Sequence, residues 1–454
     1  LDKRALWCYP LPVVGVVYAG LRGVSAFVSR CHRDHGGDDE DIGNGMRPGV
    51  AKIGCILTTF PCRTEGFAAR EMGELRDAGF DICVFAAAYD KTGRGGVEAG
   101  KVFYRPSLFS ADGFLSLGYM LLRHPLGLLR LIPLVLRLLV SCVREAVCVV
   151  GNLHTIGFFA KQLDREGIGH VHAYFLSWPA VIALALCQAT GRSFSISAHA
   201  RDIFVEHGAV ELKVSRAKFV AVCTRQGLEH LRSNLAPEHH ERLHLCYHGV
   251  HSDSEGFGGR RAQVRDSKQA ETIIAVGRLI PKKGFAVLLR AFALVLETRP
   301  GCRLLIVGDG PQRERLGGLI EELSLGDSVE LLGWRPPDVT AGLIGRATVL
   351  AAPSVIAEDG DRDGIPNVIL EAFAAGTPVV ASALDGIKEA VEHEKTGLLV
   401  QPGNTDELAS ALKRLLDDSG MRRALSERAY EVLVQRFDPA ANIEQLSMLL
   451  GGST

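Results

Sequence analysis

Short apolar runs that alternate with stretches of helical spacing, in two successive series, constrain this 454-residue chain more than any other feature. In the first series, residues 52–58 form an extended apolar run. Ala68, Met72 and Leu75 then recur at helical spacing, and a second apolar run comes next in FDICVFAA. Gly79 suits the stop of that helix, and Thr64 suits its cap. Strand and helix signals return at 170–175, 180–188, 194–197 and 219–223. Helices placed between strands cover both faces of a parallel sheet, so this series predicts one doubly covered sheet. The second series runs through ETIIAVG, a helix over 286–296, CRLLIVG, a helix over 312–323 and SVELLG, and continues in VLAAPS, PVVAS and GLLVQP. Residues 406–416 and 421–435 read as further helices, and Pro439 to Leu450 as one that crosses back onto the first unit.

A chain this long exceeds one ordinary core and suits two domains of roughly 200 residues each. The expected division is an extension over 1–50, disordered by composition, a first domain over 51–251, and a linker over 252–268. A second domain over 269–435 and a crossing helix over 436–454 complete it. The linker is the polar, Gly-rich SDSEGFGGRRAQVRDSK. In the extension, LPVVGVVYAGLRGVSAFV is broken by Arg22 and gives way to CHRDHGGDDEDIGNG, with Met46 just ahead of the first strand; a weak membrane anchor is the rival reading.

The balance of 51 basic and 52 acidic residues argues against a general nucleic-acid binder. Eleven cysteines without a C-x-x-C pair suggest neither a zinc knuckle nor a disulfide framework, and fit a reducing cytosol. From Phe114 to Arg144 the chain is strongly apolar, yet Arg123, Arg130, Arg137 and Arg144 recur every seven residues. Pro125 and Pro133 are expected to interrupt or bend this segment. Its charges disfavour a lipid-spanning helix and allow an interfacial one against anionic headgroups, the alternative being a helical pair with its arginines in water.

Three stretches carry candidate chemistry. In DGIPNVILE, Asp363 and Glu371 can accept hydrogen bonds from ribose or sugar hydroxyls, with Pro366 opening a helix whose apolar face includes Ile369, Leu370 and Phe373 and which stops at Gly376. By composition alone, Glu358, Asp359, Asp361 and Asp363 are a solvated loop, and Asp361-Arg362-Asp363 does not justify a metal site. In VGRLIPKKGF, Arg278 and Lys283 come after a strand and suit a diphosphate. IVGDGP lacks the G-x-G-x-x-G pattern, so Gly308 and Gly310 read as turn residues. His199 succeeds an apolar strand in SISAHARD, and His172 is expected to face inward beside the same cleft. No Ser-His-acid combination is evident.

Together, TTFPCRTEGFAAREM, HVHAYFLSWPA, SAHARDI, YHGVHSD, GRLIPKKG, VGDGP and DGIPNVILEAFAAGTPVVAS resemble the retaining glycosyltransferases of family 4. The likeness covers about Lys52 to Leu450, within the branch that builds bacterial exopolysaccharide and colanic-acid-like units. It implies the α/β GT-B fold, two Rossmann-like domains facing each other across a cleft, the first on the acceptor side and the second holding the nucleotide sugar. It implies catalytic roles for His199, Arg278, Lys283 and Asp363, with donor binding by Arg278, Lys283, Asp363, Gly364, Ile365, Pro366, Asn367 and Glu371. Glu65 and Arg70 become acceptor-side candidates. Asp363 stands where the family carries glutamate, one methylene longer. The resemblance further implies a nucleoside-diphosphate sugar as donor substrate, no cofactor and no metal, and a polyprenyl-diphosphate-linked glycan as acceptor. The expected location is cytoplasmic, peripheral at the inner face of the cytoplasmic membrane, with no nucleic acid partner. Rival readings are a GT-B sugar-nucleotide epimerase and a catalytically silent membrane-associated assembly protein.

Overall fold

The computed structural model describes residues 51–62, 66–90, 100–206, 208–250 and 271–451, so the expected extension, the expected linker and the Thr64 cap lie outside the described residues. Seven parallel strands form the first sheet: β1 (Lys52–Thr59), β2 (Asp81–Ala88), β3 (Lys101–Tyr104), β4 (His170–Tyr174), β5 (Ser193–Ala198), β6 (Val220–Val222) and β7 (Leu243–Leu245). Six parallel strands form the second: β8 (Thr272–Val276), β9 (Arg303–Val307), β10 (Val329–Gly333), β11 (Val349–Ala352), β12 (Val379–Ser382) and β13 (Leu398–Val400). The orders are β3-β2-β1-β4-β5-β6-β7 and β10-β9-β8-β11-β12-β13. In each sheet the strand order reverses near the centre, between β1 and β4 in one and between β8 and β11 in the other. Such reversals open a crevice at the carboxyl ends of the strands.

The helices of the first unit are α1 (Gly66–Asp77), α2 (Ala111–Arg123), α3 (Pro125–Ser141), α4 (Val143–Gly151), α5 (Leu153–Glu166), α6 (Trp178–Thr190), α7 (Ala200–Phe204), α8 (Val210–Arg216) and α9 (Arg225–Asn234). The second unit and the chain end contribute α10 (Phe285–Leu296), α11 (Arg313–Glu322), α12 (Pro337–Ile344), α13 (Asn367–Ala375), α14 (Asp385–Lys388), α15 (Thr405–Asp417), α16 (Ser419–Arg436) and α17 (Pro439–Gly451). Helix α1 buries Ala68, Met72 and Leu75, the positions its spacing singles out, and Gly79 lies just beyond it with a positive φ of 96°. Helix α6 is buried on nearly every side, which explains why its sequence is apolar throughout rather than striped.

Strand β4 carries two histidines in a fully buried position, and hydroxyls of β5 solve the resulting hydrogen-bond problem. His170 meets Ser193 and Ser195, and His172 meets Ser195 and Ser197, all at 2.8–2.9 Å. His172 therefore faces into the sheet layer, and burial pushes its imidazole down to about 4.

Pro125 opens α3 as its first residue, whereas Pro133 lies inside α3 without ending it. Of the two outcomes expected there, interruption or bending, Pro133 does not interrupt the helix. Leu129, four residues earlier, is exposed, so the carbonyl left without a donor lies on the open side of the helix. The final helix, α17, comes after α16 of the second unit but adds Leu446 and Leu450 to the cluster that holds Ile53, Met72 and Leu75.

Candidate active site

The loop after β8 and the loop after β11 leave the second sheet at its point of reversal, and close packing brings them together. Leu279 is fully buried, and its N–H donates to the Asp309 carbonyl at 2.9 Å, which pins the β8 loop to the β9 loop. Gly284 has φ 66°, and a β-carbon there would stand 1.8 Å from the Pro353 carbonyl oxygen, so the start of α10 can lie against the exit of β11 only with glycine.

That approach sets two lysines against two buried aspartates. Lys283 Nζ donates to Asp363 Oδ2 at 2.8 Å, and Ser354 Oγ donates to the same oxygen at 2.6 Å. Lys282 Nζ donates to Asp361 Oδ1 at 3.0 Å and lies 3.6 Å from Asp363 Oδ1. Burial pushes the Asp363 carboxyl up, but Lys283 and Lys282 outweigh it and hold the group below the usual carboxylate range. The expectation of a solvated acidic loop is thus overturned for Asp361 and Asp363, which are buried because lysines neutralise them. Arg278 is exposed nearby, and its guanidinium makes no hydrogen bond or ion pair among the described residues.

Helix α13 begins at Asn367, with Pro366 as the residue before it and Gly376 closing it at φ 71°. Gly364 and Ile365 lead into that start, and a β-carbon at Gly364 would stand 2.9 Å from Thr224 Cγ2 at the cap of α9. The two units therefore touch across the crevice. Arg70 Nη1 lies 3.9 Å from Glu371 Oε1, Arg201 Nη1 donates to Asp361 Oδ2 at 3.0 Å, and the Arg362 guanidinium lies 4.7 Å from the Phe204 ring centroid. Glu389 accepts from the Arg225 and Gln226 N–H groups at 2.8 and 2.9 Å, and from Tyr247 Oη at 2.8 Å. Burial pushes the Glu371 carboxyl up, with Arg70 opposing.

Of the residues proposed from sequence, Lys283, Asp363, Gly364, Ile365, Pro366 and Asn367 gather on one side of the crevice. Arg278 lies at its edge, Glu371 and Arg70 bridge it, and His199 lies across from them in the first unit. Glu65 lies outside the described residues. His199 precedes α7, where its N–H donates to Asp202 Oδ1 at 3.0 Å, and its ring packs against those of Phe67 and Phe175, with centroids at 4.8 and 4.6 Å. Burial, then His248 and His172, hold its imidazole well below the usual value. Sequence reasoning assigned no role to Lys282, Ser354, Arg201, Glu389, Glu71 or His248. Lys282, Arg201, Glu71 and His248 stand within the quoted motifs, whereas Ser354 and Glu389 carry no local signal. Among the described residues, no group of three or more His, Cys, Asp or Glu side chains is placed to hold a metal ion.

Residues 260–432 match the family model described as glycosyl transferases group 1. This corrects the family expected from the motifs: the matching model is that of group 1, not family 4. The chain is 36% identical over 260 residues to an exopolysaccharide phosphotransferase of Streptomyces coelicolor, covering 56% of this chain and 26% of that protein. It is 34% identical over 181 residues to a lipopolysaccharide core biosynthesis glycosyltransferase of Rhizobium meliloti, covering 40% of this chain and 49% of the relative. The chain thus spans between about a quarter and a half of the length of these two relatives. Among solved structures it resembles the Anabaena protein HepE in complex with UDP, with a TM-score of 0.64 at 18% identity over 89% of this chain and all of that one. The two sheets with their flanking helices are the GT-B fold expected from the sequence.

Proposed function

We propose that this chain transfers a sugar from a nucleoside-diphosphate sugar to a hydroxyl of a lipid-linked glycan in cell-surface polysaccharide synthesis, with retention at the anomeric carbon. The observation that carries the proposal is the cluster of Lys282, Lys283, Asp363 and Ser354 at the reversal point of the second sheet, across from His199 and Arg70. The GT-B fold and the polysaccharide enzymes among the relatives support it. The second unit, over 269–435, holds the donor, and the first, over 51–251, presents the acceptor.

Lys283 and Arg278 face the charge that grows on the leaving diphosphate, an attraction that strengthens toward the transition state and so lowers the barrier. Asp363 and Glu371 accept hydrogen bonds from donor hydroxyls, and the N–H groups at the start of α13 add fixed partial charge. Asp363 is held by Lys283 and Ser354, which disfavours its use as a nucleophile and favours a displacement on one face of the sugar. In that step the bond from the anomeric carbon to the phosphate oxygen breaks, the bond to the acceptor oxygen forms, and the leaving phosphate takes the acceptor proton. The contacts that bridge the crevice would exclude water from the reacting centre.

A membrane seat accompanies this proposal. Helices α2 to α4 expose Leu122 (88%), Leu126, Val140 (92%) and Val147 beside the exposed Arg123, Arg130 and Arg137, a composition suited to anionic headgroups over acyl chains. Among the described residues, no single helix is long and apolar enough to cross a membrane, and the α2–α3 pair is bent by 102°. The seat proposed is peripheral, at the inner face of the cytoplasmic membrane.

The test is incubation with a panel of nucleotide sugars and lipid-linked acceptors, and then identification of the product and its anomeric configuration. Nucleoside diphosphate release with a product of the donor's configuration is expected. Changed sugar stereochemistry without nucleotide release would replace transfer by epimerisation. Failure to bind any nucleotide sugar would end the enzymatic proposal.

A further inference from the structure

We propose that Glu71 and His248 are positioning residues that set which ring nitrogen of His199 carries its proton; the consequence for catalysis rests on the transferase function proposed above, whereas the geometry does not. Glu71, on α1, brings Oε2 to 3.3 Å from Nδ1 of His248, and Nε2 of His248 lies 2.9 Å from Nε2 of His199. The ring planes are within 5° of parallel with centroids 5.0 Å apart. Because the nitrogens approach far more closely than the centroids, the rings meet edge to edge in a hydrogen bond rather than face to face. Phe67, with its centroid 4.7 Å from that of His248 and 4.8 Å from that of His199, packs against both rings.

Two imidazole nitrogens at this distance repel if both carry protons or if both carry lone pairs, so one proton lies between them. Glu71 decides how the pair can hold it. An ionised carboxylate only accepts, which keeps a proton on Nδ1 of His248. With His248 neutral, its Nε2 accepts the Nε2–H of His199, and Nδ1 of His199 is a bare acceptor. With one more proton, the Nε2–H of His199 passes across to His248, the incoming proton rests on Nδ1 of His199, and the positive charge resides on His248 beside Glu71. The balance is one proton taken up. Its effect is to turn Nδ1 of His199 from acceptor to donor; this nitrogen is buried and makes no hydrogen bond of good geometry among the described residues, while the Ser197 backbone beside the ring favours its protonated form.

The surroundings leave the charge no better place. Burial pushes the Glu71 carboxyl up, but the hydrogen bond and charge of His248 outweigh it and hold the group below its usual value. Burial, then the neighbouring His248 and His172, push His199 well down, and it is His248, not His199, that faces the Glu71 carboxylate at 3.3 Å. The other titratable groups around the pair are Cys55 on β1, Arg70 and Glu74 on α1, His172 and Tyr174 on β4, Asp202 on α7, whose carboxylate takes the His199 N–H and which burial raises to about 7, and Cys246 and Tyr247 beside His248. Arg70 turns to Glu371, burial keeps His172 near 4, and burial raises Cys246 to about 12. In sugar transfer, the switch would set whether His199 offers a hydrogen-bond donor or an acceptor at the crevice.

Nitrogen-15 histidine spectra of the full chain, recorded from about pH 5 to 8, test the proposal, because the two tautomers differ in their ring-nitrogen shifts. In the parent, Nδ1 and Nε2 of His199 should exchange protonation with a single midpoint as the pair takes up one proton. Glu71→Gln, which keeps the shape and removes the charge, should lower that midpoint by about 1–3 pH units. His248→Phe should abolish the exchange. A His199 that keeps one tautomer throughout, or a midpoint unmoved in Glu71→Gln, would overturn the relay even if His248→Phe failed to fold. With substrate, Glu71→Gln should shift the acidic limb of kcat by the same amount while the donor KM changes by less than about twofold. Tautomer exchange in a protein that transfers no sugar would sink the transferase proposal and leave the relay standing; transfer without exchange would do the reverse.

Discussion

Lys283 and Arg278 share an expected role but differ in attachment, and the difference is measurable. Lys283 neutralises a buried carboxylate, whereas Arg278 is exposed at the edge of the crevice. Lys283→Ala should lower stability at neutral pH by about 1–3 kcal/mol, with Lys282 left to limit the loss, while Arg278→Ala should leave the urea midpoint unchanged. Each should reduce kcat/KM roughly 150-fold if it removes a transition-state contact of about 3 kcal/mol. Folded variants with parental kcat/KM would remove both from the leaving-group assignment. Asp202 gives a second residue-scale test. It accepts the Leu176 and His199 N–H groups while 2% exposed, and burial raises its carboxyl to about 7. The folded state then binds more protons than the unfolded one between about pH 4 and 7, so this group's contribution is present at low pH and lost as pH rises through 7. Asp202→Asn cannot ionise. Relative to the parent, its stability by urea unfolding should therefore improve between pH 5 and pH 8, and a pH-independent difference would show that the carboxyl is already ionised at the lower pH.

At the scale of elements, α3 presents the sharpest claim. It buries Gly127, Leu131, Leu134 and Leu138 and leaves Arg130 and Arg137, two turns apart, exposed among leucines. Because the buried stripe does not include the arginines, reversing them should spare the fold. Arg130→Glu with Arg137→Glu should weaken sedimentation with anionic vesicles by more than tenfold, at about 1 kcal/mol for each basic side chain near the surface and a further opposing term for each acid. Equal sedimentation of parent and variant would remove the membrane seat. The seven-residue arginine spacing was legible in sequence, as was the break at Pro125. At Pro133 the sequence left interruption and bending open, and the choice depends on which side of the helix the unpaired carbonyl faces. Likewise, spacing alone picked out the buried face of α1, whereas the burial of Asp361 and Asp363 required partners about eighty residues away.

Across the whole molecule, α17 packs on the first sheet although it leaves the second unit. Leu446→Ala or Leu450→Ala should cost about 2–5 kcal/mol, as for other buried leucines, and hydrogen exchange should rise in β1 and α1 while β8 to β13 keep their protection. Increased exchange confined to the second sheet would refute that allegiance. Glu389 shows the same dependence on long-range placement, since a carboxylate after α14 completes the start of α9, where Thr224 already holds the Gly227 N–H. By itself the sequence determined the features that periodicity and turn chemistry dictate: two parallel sheets, their helices and the stop at Gly376. These are local properties, written in the spacing of apolar residues and in backbone freedom. Only the tertiary structure decided that Asp363 is spoken for by Lys283 and Ser354, that His172 lies within a ladder of hydroxyls, and that Glu71 reaches His199 through His248. Hydrogen-bond partners and burial are set by which loops the strand order brings side by side, and residues far apart in the chain carry no mark of one another until the sheets have formed.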